Sequence, residues 1–537
     1  MTQSKAEAYA KGPDAPAVRA LTIGDALREV VADCPDRVAL IGGKADPAER
    51  QQWTYAELLE EAEALARVLL TRFKPGERVA IWAPNIPQWV VTEYASALAG
   101  TVLVTVNPSY QPAEVKYVLN QSRAAGVMVM REFRGNQMAK HIESVSAECP
   151  ELREVILFDE WDELIAEGNA SDAALPDVNP MDATMIQYTS GTTGFPKGAL
   201  LHHRGLVNNG AHTNARAGLK DGDVVIGIMP LFHTAGCVLG VLGTLAIRGT
   251  LVLAEQFEPG VALELLETYK SAGMMGVPTM LIAMMEHPDF EKRDLSALRI
   301  AYSGGSTVPA ALVQKLEKAL GVQFTIVFGQ TECSPVASMT YPDDHFDDKA
   351  NTLGPPMPNT EVKIIDPDTG ATVPFGEKGE YCTRGYHVMH EYFENPEATG
   401  KTIDKDGWLH TGDLCSMDER GYTKIEGRLK DMIIRGGENI YPREIEELLF
   451  KNDAVGEVAV VGLPDDKYGE VVGAFLRPAP GQTLNREELF GYLREHLSPQ
   501  KTPKHWFEVD EFPLTGSGKI QKFVLRDQWV AGAHKEM

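Results

Sequence analysis

Apolar positions recur at helical spacing from Tyr55 to Leu70, whereas Arg78 to Trp82 and Thr101 to Val106 are short apolar runs of strand length. This alternation continues along most of the chain and predicts α/β layers. Near residue 413 the pattern changes: Leu414 to Met417 and Tyr422 to Glu426 read as two strands joined by a turn at Asp418-Glu419-Arg420-Gly421. Pro442 to Phe450 reads as a helix with proline in its first turn, and Val458 to Gly462 as an apolar strand. The expectation is a large, multi-lobed α/β domain, followed by a compact α+β domain over residues 431 to 537. The most apolar runs, Cys237 to Ile247 and Met274 to Met285, fall short of the ~20 residues a membrane span needs. They read as buried elements and candidate pocket walls. Gly168 to Pro180 is polar and turn-rich, as a linker would be.

A chain of 537 residues with 44% hydrophobic residues can fill more than one core. Its net charge of -25 opposes non-specific binding to nucleic acid or anionic membranes, so an anionic substrate must be met by local positive charge. Six cysteines, Cys34, Cys149, Cys237, Cys333, Cys382 and Cys415, lack C-x-x-C spacing and suggest neither a zinc site nor a disulfide framework. With no secretory signal in Met1 to Ala10, a cytoplasmic protein without a transmembrane segment is expected.

The most informative chemistry is Tyr188-Thr-Ser-Gly-Thr-Thr-Gly-Phe-Pro-Lys-Gly198, which holds four aliphatic hydroxyls, three glycines and a lysine. Glycines admit phosphate oxygens to backbone N–H groups, hydroxyls add donors, and Lys197 offsets negative charge. Pro196 before Lys197 and Gly198 after it exclude a Walker loop, and with it a P-loop ATPase.

Further motifs follow in order: Pro230-Leu-Phe-His233, Tyr302-Ser-Gly-Gly-Ser306, Phe328-Gly-Gln-Thr-Glu332, Thr411-Gly-Asp413, Gly427-Arg-Leu-Lys-Asp431 and Pro513-Leu-Thr-Gly-Ser-Gly-Lys519. Together with the loop, this series resembles the adenylate-forming superfamily of acyl-CoA synthetases, luciferases and peptide-synthetase adenylation domains. The resemblance spans roughly residues 25 to 530 and is greatest to the fatty-acyl-CoA synthetase branch, notably across Asp431 to Pro442. It implies a large domain over residues 1–429 with a β-barrel-like part, and a small mobile one over 430–537. It also implies two half-reactions: a carboxylate attacks the α-phosphate of MgATP to give an acyl-adenylate and diphosphate, and a thiol then displaces AMP.

The resemblance assigns roles residue by residue. Lys519 bridges the carboxylate and the α-phosphate, Glu332 holds Mg2+, and Thr331 donates to phosphate. Thr189, Ser190, Gly191, Thr192, Thr193, Gly194 and Lys197 cradle the polyphosphate. Gly304, Gly305 and Ser306 let adenine approach backbone, with Phe328, Gly329 and Gln330 beside it. Asp413 and Arg428 take the ribose hydroxyls. His233, Gly236, Cys237, Val277 and Cys333 border the acyl group, and Arg435, Gly436, Gly437 and Glu438 the coenzyme A channel. Lys430 is the hinge about which the small domain turns.

These acyl-side residues are small or apolar with no charged partner, which favours an uncharged acyl chain over an amino acid. A medium-chain fatty acid is the expected substrate, with aryl, short, branched or steroid side-chain acids as alternatives. An acyl-AMP ligase loading a carrier protein and a non-catalytic nucleotide or acyl sensor are the competing readings. The implied partners are a small carboxylic acid, MgATP and coenzyme A, with no nucleic acid; a homodimer is compatible with all of this.

Overall fold

The computed structural model describes residues 6–189, 196–305, 308, 310–436, 438–514 and 520–537, with 310 and 311 described by backbone alone. The chain divides into two compact units, one of Ala10–Glu361 with Thr383–Leu409, the other of Met1–Tyr9, Val362–Cys382 and His410–Met537. The fold is mixed α/β, as the alternating pattern predicts.

The larger unit contains two sheets built mainly of parallel strands. One has eight strands in the order Val336–Met339, Gln323–Gly329, Ile300–Gly304, Gly273–Met275, Val224–Gly227, Thr250–Ala254, Val38–Gly43 and Gln52–Thr54, antiparallel only at its two edges. The other has seven, in the order Glu391–Tyr392, Lys197–His202, Ala183–Thr189, Val102–Thr105, Arg78–Trp82, Gly126–Val129 and Glu154–Leu157. Parallel strands are covered on both faces and so are apolar throughout rather than alternating. Val102–Thr105 and Gly126–Val129 are accordingly buried at every position. The helix expected from Tyr55 runs Tyr55–Arg72, with Thr54 and Glu57 closing a capping box at its start. Its buried face includes Leu58, Ala62, Leu65 and Leu69.

The apolar run after His233 adopts an uncommon geometry. Ala235–Leu242 forms a π-helix that passes into the short α-helix Gly243–Ala246. Such wide turns are rare and cluster at functional sites.

In the smaller unit, the expected hairpin comprises Leu409–Met417 and Thr423–Arg428, antiparallel, with its turn closed by Asp418 and Tyr422. It lies at one edge of a five-stranded sheet ordered Tyr9–Lys11, Thr360–Ile365, Gly379–Gly385, Leu409–Met417 and Thr423–Arg428. A further sheet is ordered Glu438–Ile440, Ile433–Arg435, Gly469–Pro478 and Val455–Asp465, with His505–Glu508 added to Gly469–Pro478. The strand expected over Val458 to Gly462 is longer, Val455–Asp465, because its hairpin with Gly469–Pro478 extends the pairing in both directions. The helix begins as expected, over Pro442–Leu449. Its Ile445 and Leu449 join Trp506 in the core on one face of the sheet, while Phe475, Phe507 and Leu525 pack in a second cluster. Among the described residues no helix is long and apolar enough to cross a membrane, and all six cysteines are free.

Candidate active site

In the larger unit three of the singled-out motifs lie at carboxyl ends of parallel strands, where open α/β sheets bind ligands. Ala183–Thr189 ends at Thr189, which pairs with Lys197 at the start of the returning strand. Thr189 Oγ1 donates to the Lys197 carbonyl at 3.4 Å, so the base of the phosphate loop is a hairpin. Ser190, Gly191, Thr192, Thr193 and Gly194 lie outside the described residues. Ile300–Gly304 leads into Gly305, whose φ of 77° is a conformation that suits glycine; Ser306 lies outside the described residues. Gln323–Gly329 leads through Gln330 to Thr331, with Phe328 buried in the sheet. At Gly329 a Cβ would lie 2.0 Å from the Pro335 carbonyl, so this turn closes only without a side chain.

Thr331 and Glu332 sit on the 3-10 turn Thr331–Cys333, and both are buried. Tyr392 donates its hydroxyl to Glu332 Oε1 at 2.6 Å. Burial, and then the neighbouring Glu332 charge, push the Tyr392 phenol far up, so it remains a donor. The Tyr392 strand pairs with the strand that Lys197 begins, and Lys197 Nζ lies 4.8 Å from the Tyr392 ring centroid. One aromatic ring thereby connects the lysine of the phosphate loop with the carboxylate expected to hold metal. Tyr392 carries no motif signal in the sequence; only strand pairing brings it here.

His233 is half-buried, and its Nδ1 accepts from Ala235 N–H at 3.2 Å. The π-helix that follows lines an apolar cavity through Ala235, Gly236 and Gly240, facing the ends of the strands Val224–Gly227 and Thr250–Ala254 and the residues Met275 and Tyr302. Of the five residues expected at the acyl group, Gly236 lines this cavity. The Cys237 sulfur accepts from Gln187 Nε2 at 3.0 Å in a buried environment. Val277 caps the helix Pro278–Glu286, and Cys333 is fully buried on the 3-10 turn. The residues forming most of the wall, such as Val225, Leu251 and Leu253, lie in strands about 30 residues apart and carry no local signal.

In the smaller unit Asp413 and Arg428 are direct cross-strand partners, and Arg428 Nε donates to Asp413 Oδ1 at 2.7 Å. The Asp413 side chain is 3% exposed and that of Arg428 39%. Thr411 Oγ1 accepts from Asp413 N–H and donates to the Tyr381 carbonyl, which fixes the turn. Glu380, a residue the motifs do not point to, accepts from Gly412 N–H at 3.0 Å and lies 2.8 Å from His410 Nδ1. Lys430 occupies the 3-10 turn Leu429–Asp431, between the strand that carries Arg428 and the strand Ile433–Arg435. Arg435 lies over the Tyr468 ring at 5.1 Å and donates to the Gln500 carbonyl. Gly436, at φ 60°, turns the chain into the exposed Glu438. Gly437 and Lys519 lie outside the described residues.

The family model of the AMP-binding enzyme matches residues 27–393, and that of the AMP-binding enzyme C-terminal domain matches residues 444–519. The chain is 40% identical over 538 residues, 95% of its own length and 97% of the relative's, to the Bacillus subtilis (strain 168) protein named "Putative acyl-CoA synthetase YngI". It is 35% identical over 540 residues to the mitochondrial medium-chain acyl-CoA ligase ACSF2 of Rattus norvegicus, covering 94% of this chain and 87% of that one. The crystal structure of ATP-bound MatB from Rhodopseudomonas palustris matches with a TM-score of 0.86 at 29% identity, over 96% of this chain and 100% of that chain. The chain belongs to the AMP-binding enzyme family and is an AMP-forming acid–CoA ligase that uses ATP, coenzyme A and Mg2+.

Proposed function

We propose that the acid ligated is a linear, uncharged, medium-chain fatty acid. The observation that carries this reading is the apolar wall beside the π-helix, around a void of about 10 Å³, which is aliphatic apart from glycine, methionine and Tyr302 and includes no charged side chain. An amino acid or dicarboxylate would leave a charge there without a partner. The name of the Rattus norvegicus relative, a medium-chain acyl-CoA ligase, agrees with this.

Adenylation brings a carboxylate to a triphosphate, so the chain must supply cations and oriented donors. We assign Lys197 and the phosphate loop to the β- and γ-phosphates, Thr331 to a phosphate oxygen, Asp413 and Arg428 to the ribose, and Lys519 to the carboxylate and α-phosphate. Glu332 fits magnesium: Mg2+ takes one or two protein carboxylates and completes its shell with phosphate oxygens and water, and Tyr392 orients this carboxylate through Oε1. Magnesium held there would offset the triphosphate's charge. Lys519 must be present for adenylation, yet the thiol must enter afterwards, so a division of the chain at 429/430 with rotation about Lys430 is part of the proposal.

The test is AMP and diphosphate release with MgATP across linear, branched and aromatic acids, with and without coenzyme A. Coenzyme A-dependent turnover that peaks on linear medium-chain acids is expected. A peak on aromatic or branched acids overturns the substrate assignment, and adenylate without thioester overturns free coenzyme A as acceptor.

A further inference from the structure

Among the described residues, one set of histidine, cysteine and carboxylate ligand atoms lies within 4.8 Å of one another, those of Glu380, Cys382 and His410, all in the smaller unit. Glu380 and Cys382 stand two apart on the strand Gly379–Gly385 and so on one face of the sheet, and His410 is on the neighbouring strand Leu409–Met417. His410 Nδ1 is the common point, 2.8 Å from Glu380 Oε2 and 3.6 Å from Cys382 Sγ. Tetrahedral Zn2+, with bonds of about 2.3 Å to sulfur and about 2.0–2.2 Å to nitrogen and oxygen, holds sulfur and nitrogen about 3.5 Å apart and nitrogen and oxygen about 3.3 Å apart. The sulfur–nitrogen pair therefore already has zinc spacing, and the hydrogen-bonded pair has to open by about 0.5 Å. Cys382 is fully buried and Glu380 nearly so, while the His410 side chain is 26% exposed and gives an ion its way in. No spacing along the chain announces this set, because it forms only when the two strands become neighbours.

We propose that Glu380, Cys382 and His410 form a Zn2+ site, with water as the fourth ligand, and that filling it weakens ATP binding. Coordination takes the thiolate of Cys382, whose proton leaves to solvent, and His410 Nδ1, the ring's proton then residing on Nε2. The same residues support the turn that carries Asp413. Glu380 Oε1 accepts from Gly412 N–H at 3.0 Å, and Thr411 Oγ1 donates to the carbonyl of Tyr381, which lies between Glu380 and Cys382. Glu380 and His410 separate around the ion, and the turn they support shifts with them. The effect on ATP rests on the reading that Asp413 holds the ribose; the zinc site itself does not. By linkage, ATP lowers the affinity for zinc by the same factor as zinc lowers that for ATP.

The test uses the full chain freed of metal by a chelator. Titration with Co2+, whose thiolate complexes absorb by sulfur-to-metal charge transfer, is expected to show that absorption at one equivalent, and zinc to abolish it. Cys382→Ala, with thermal unfolding as the fold control, should lose the absorption and bind zinc more than about 100-fold more weakly, beyond the contribution of an outer-shell partner. If alanine prevents folding, Cys382→Val takes its place. With Mg2+ in excess over ATP and zinc held by a metal buffer, the Kd for ATP should rise at least about fivefold in the wild type and stay constant in the variant. Absorption that is absent, or undiminished in a folded variant, overturns the site. Bound metal with an unchanged Kd for ATP overturns the coupling, and the same ATP titration of Asp413→Ala tells that result from failure of the ribose reading, in which the Kd of that variant stays at the wild-type value.

Discussion

The hydroxyl of Tyr392 reaches Glu332 Oε1 at 2.6 Å, although 60 residues separate the two in sequence. The contact exists because the two-residue strand Glu391–Tyr392 pairs with the strand that begins at Lys197. Backbone pairing of Met389 N–H to the Glu332 carbonyl at 2.9 Å adds a second tie. Tyr392 thus acts as a positioning residue for the carboxylate.

Removing the hydroxyl alone, in Tyr392→Phe, keeps the ring beneath Lys197 and frees Glu332. A hydrogen bond to a charged group contributes about 1.5–3 kcal/mol, which sets an expected loss of about 10- to 100-fold in the adenylation rate at limiting magnesium. The check is a Mg2+ titration of diphosphate release. The half-saturating magnesium concentration should rise; an unchanged value with a lower maximum rate would place Tyr392 elsewhere in the mechanism.

The Asp413 side chain is 3% exposed and accepts from Arg428 Nε, so Asp413→Ala removes that bond together with both proposed ribose acceptors. The KM for ATP should rise about 10- to 100-fold, in line with one or two hydrogen bonds to a charged group. Measuring the KM for the acid in the same variant separates nucleotide binding from a general fault, because the acid's KM should move much less.

The rotation proposed about Lys430 predicts a split between half-reactions. Lys430→Pro fixes φ at the 3-10 turn Leu429–Asp431 and should spare diphosphate exchange more than thioester formation. Single-turnover measurement of each step is the check, and equal loss of both would remove the hinge assignment.

Four buried histidines make the larger unit sensitive to acid. Burial lowers His202, His203 and His212 to about 4 and His387 to about 3. Each is neutral in the folded protein and takes up a proton on unfolding at mildly acidic pH. Their stabilising share is complete above the unfolded value near 6.5 and is lost as pH falls from there towards 4. The melting temperature should therefore drop between pH 6.5 and 5. Calorimetry in two buffers of different ionisation enthalpy should show proton uptake on unfolding at pH 5; unfolding there without uptake would contradict this account.

Glu93 titrates in the opposite sense. Its side chain is buried on the helix Pro87–Ala99, and both carboxylate oxygens lack a hydrogen-bond partner among the described residues. Burial holds it protonated well above the ordinary carboxylate range. The native state keeps a proton that the unfolded chain loses above about pH 4.5, so stability falls as pH rises from there. Glu93→Gln removes that dependence and should stabilise by about 1–3 kcal/mol at pH 8 and less at pH 5. Melting curves of both proteins at the two pH values test it.

Much of the framework can be read along the chain. The runs Arg78 to Trp82 and Tyr55 to Leu70 became a strand and a helix nearly residue for residue, because periodicity and capping act within a few residues. The hairpin carrying Asp413 and Arg428 was equally legible, its turn residues lying between two short apolar strands. Motif order was sufficient to place the chain in its family, since phosphate loops and ribose carboxylates are compact in sequence. The tertiary structure decided the remainder. Tyr392 beside Glu332, Glu380 beneath Gly412, the cysteine at 237 held by Gln187, and a cavity walled by Val225, Leu251 and Met275 all depend on which strands become neighbours. Sequence determines which residues prefer strands and which chemistry they carry. Strand order in a parallel sheet is settled by long crossover connections and by packing of the whole unit, and so the shape of a pocket cannot be read from any local stretch of chain.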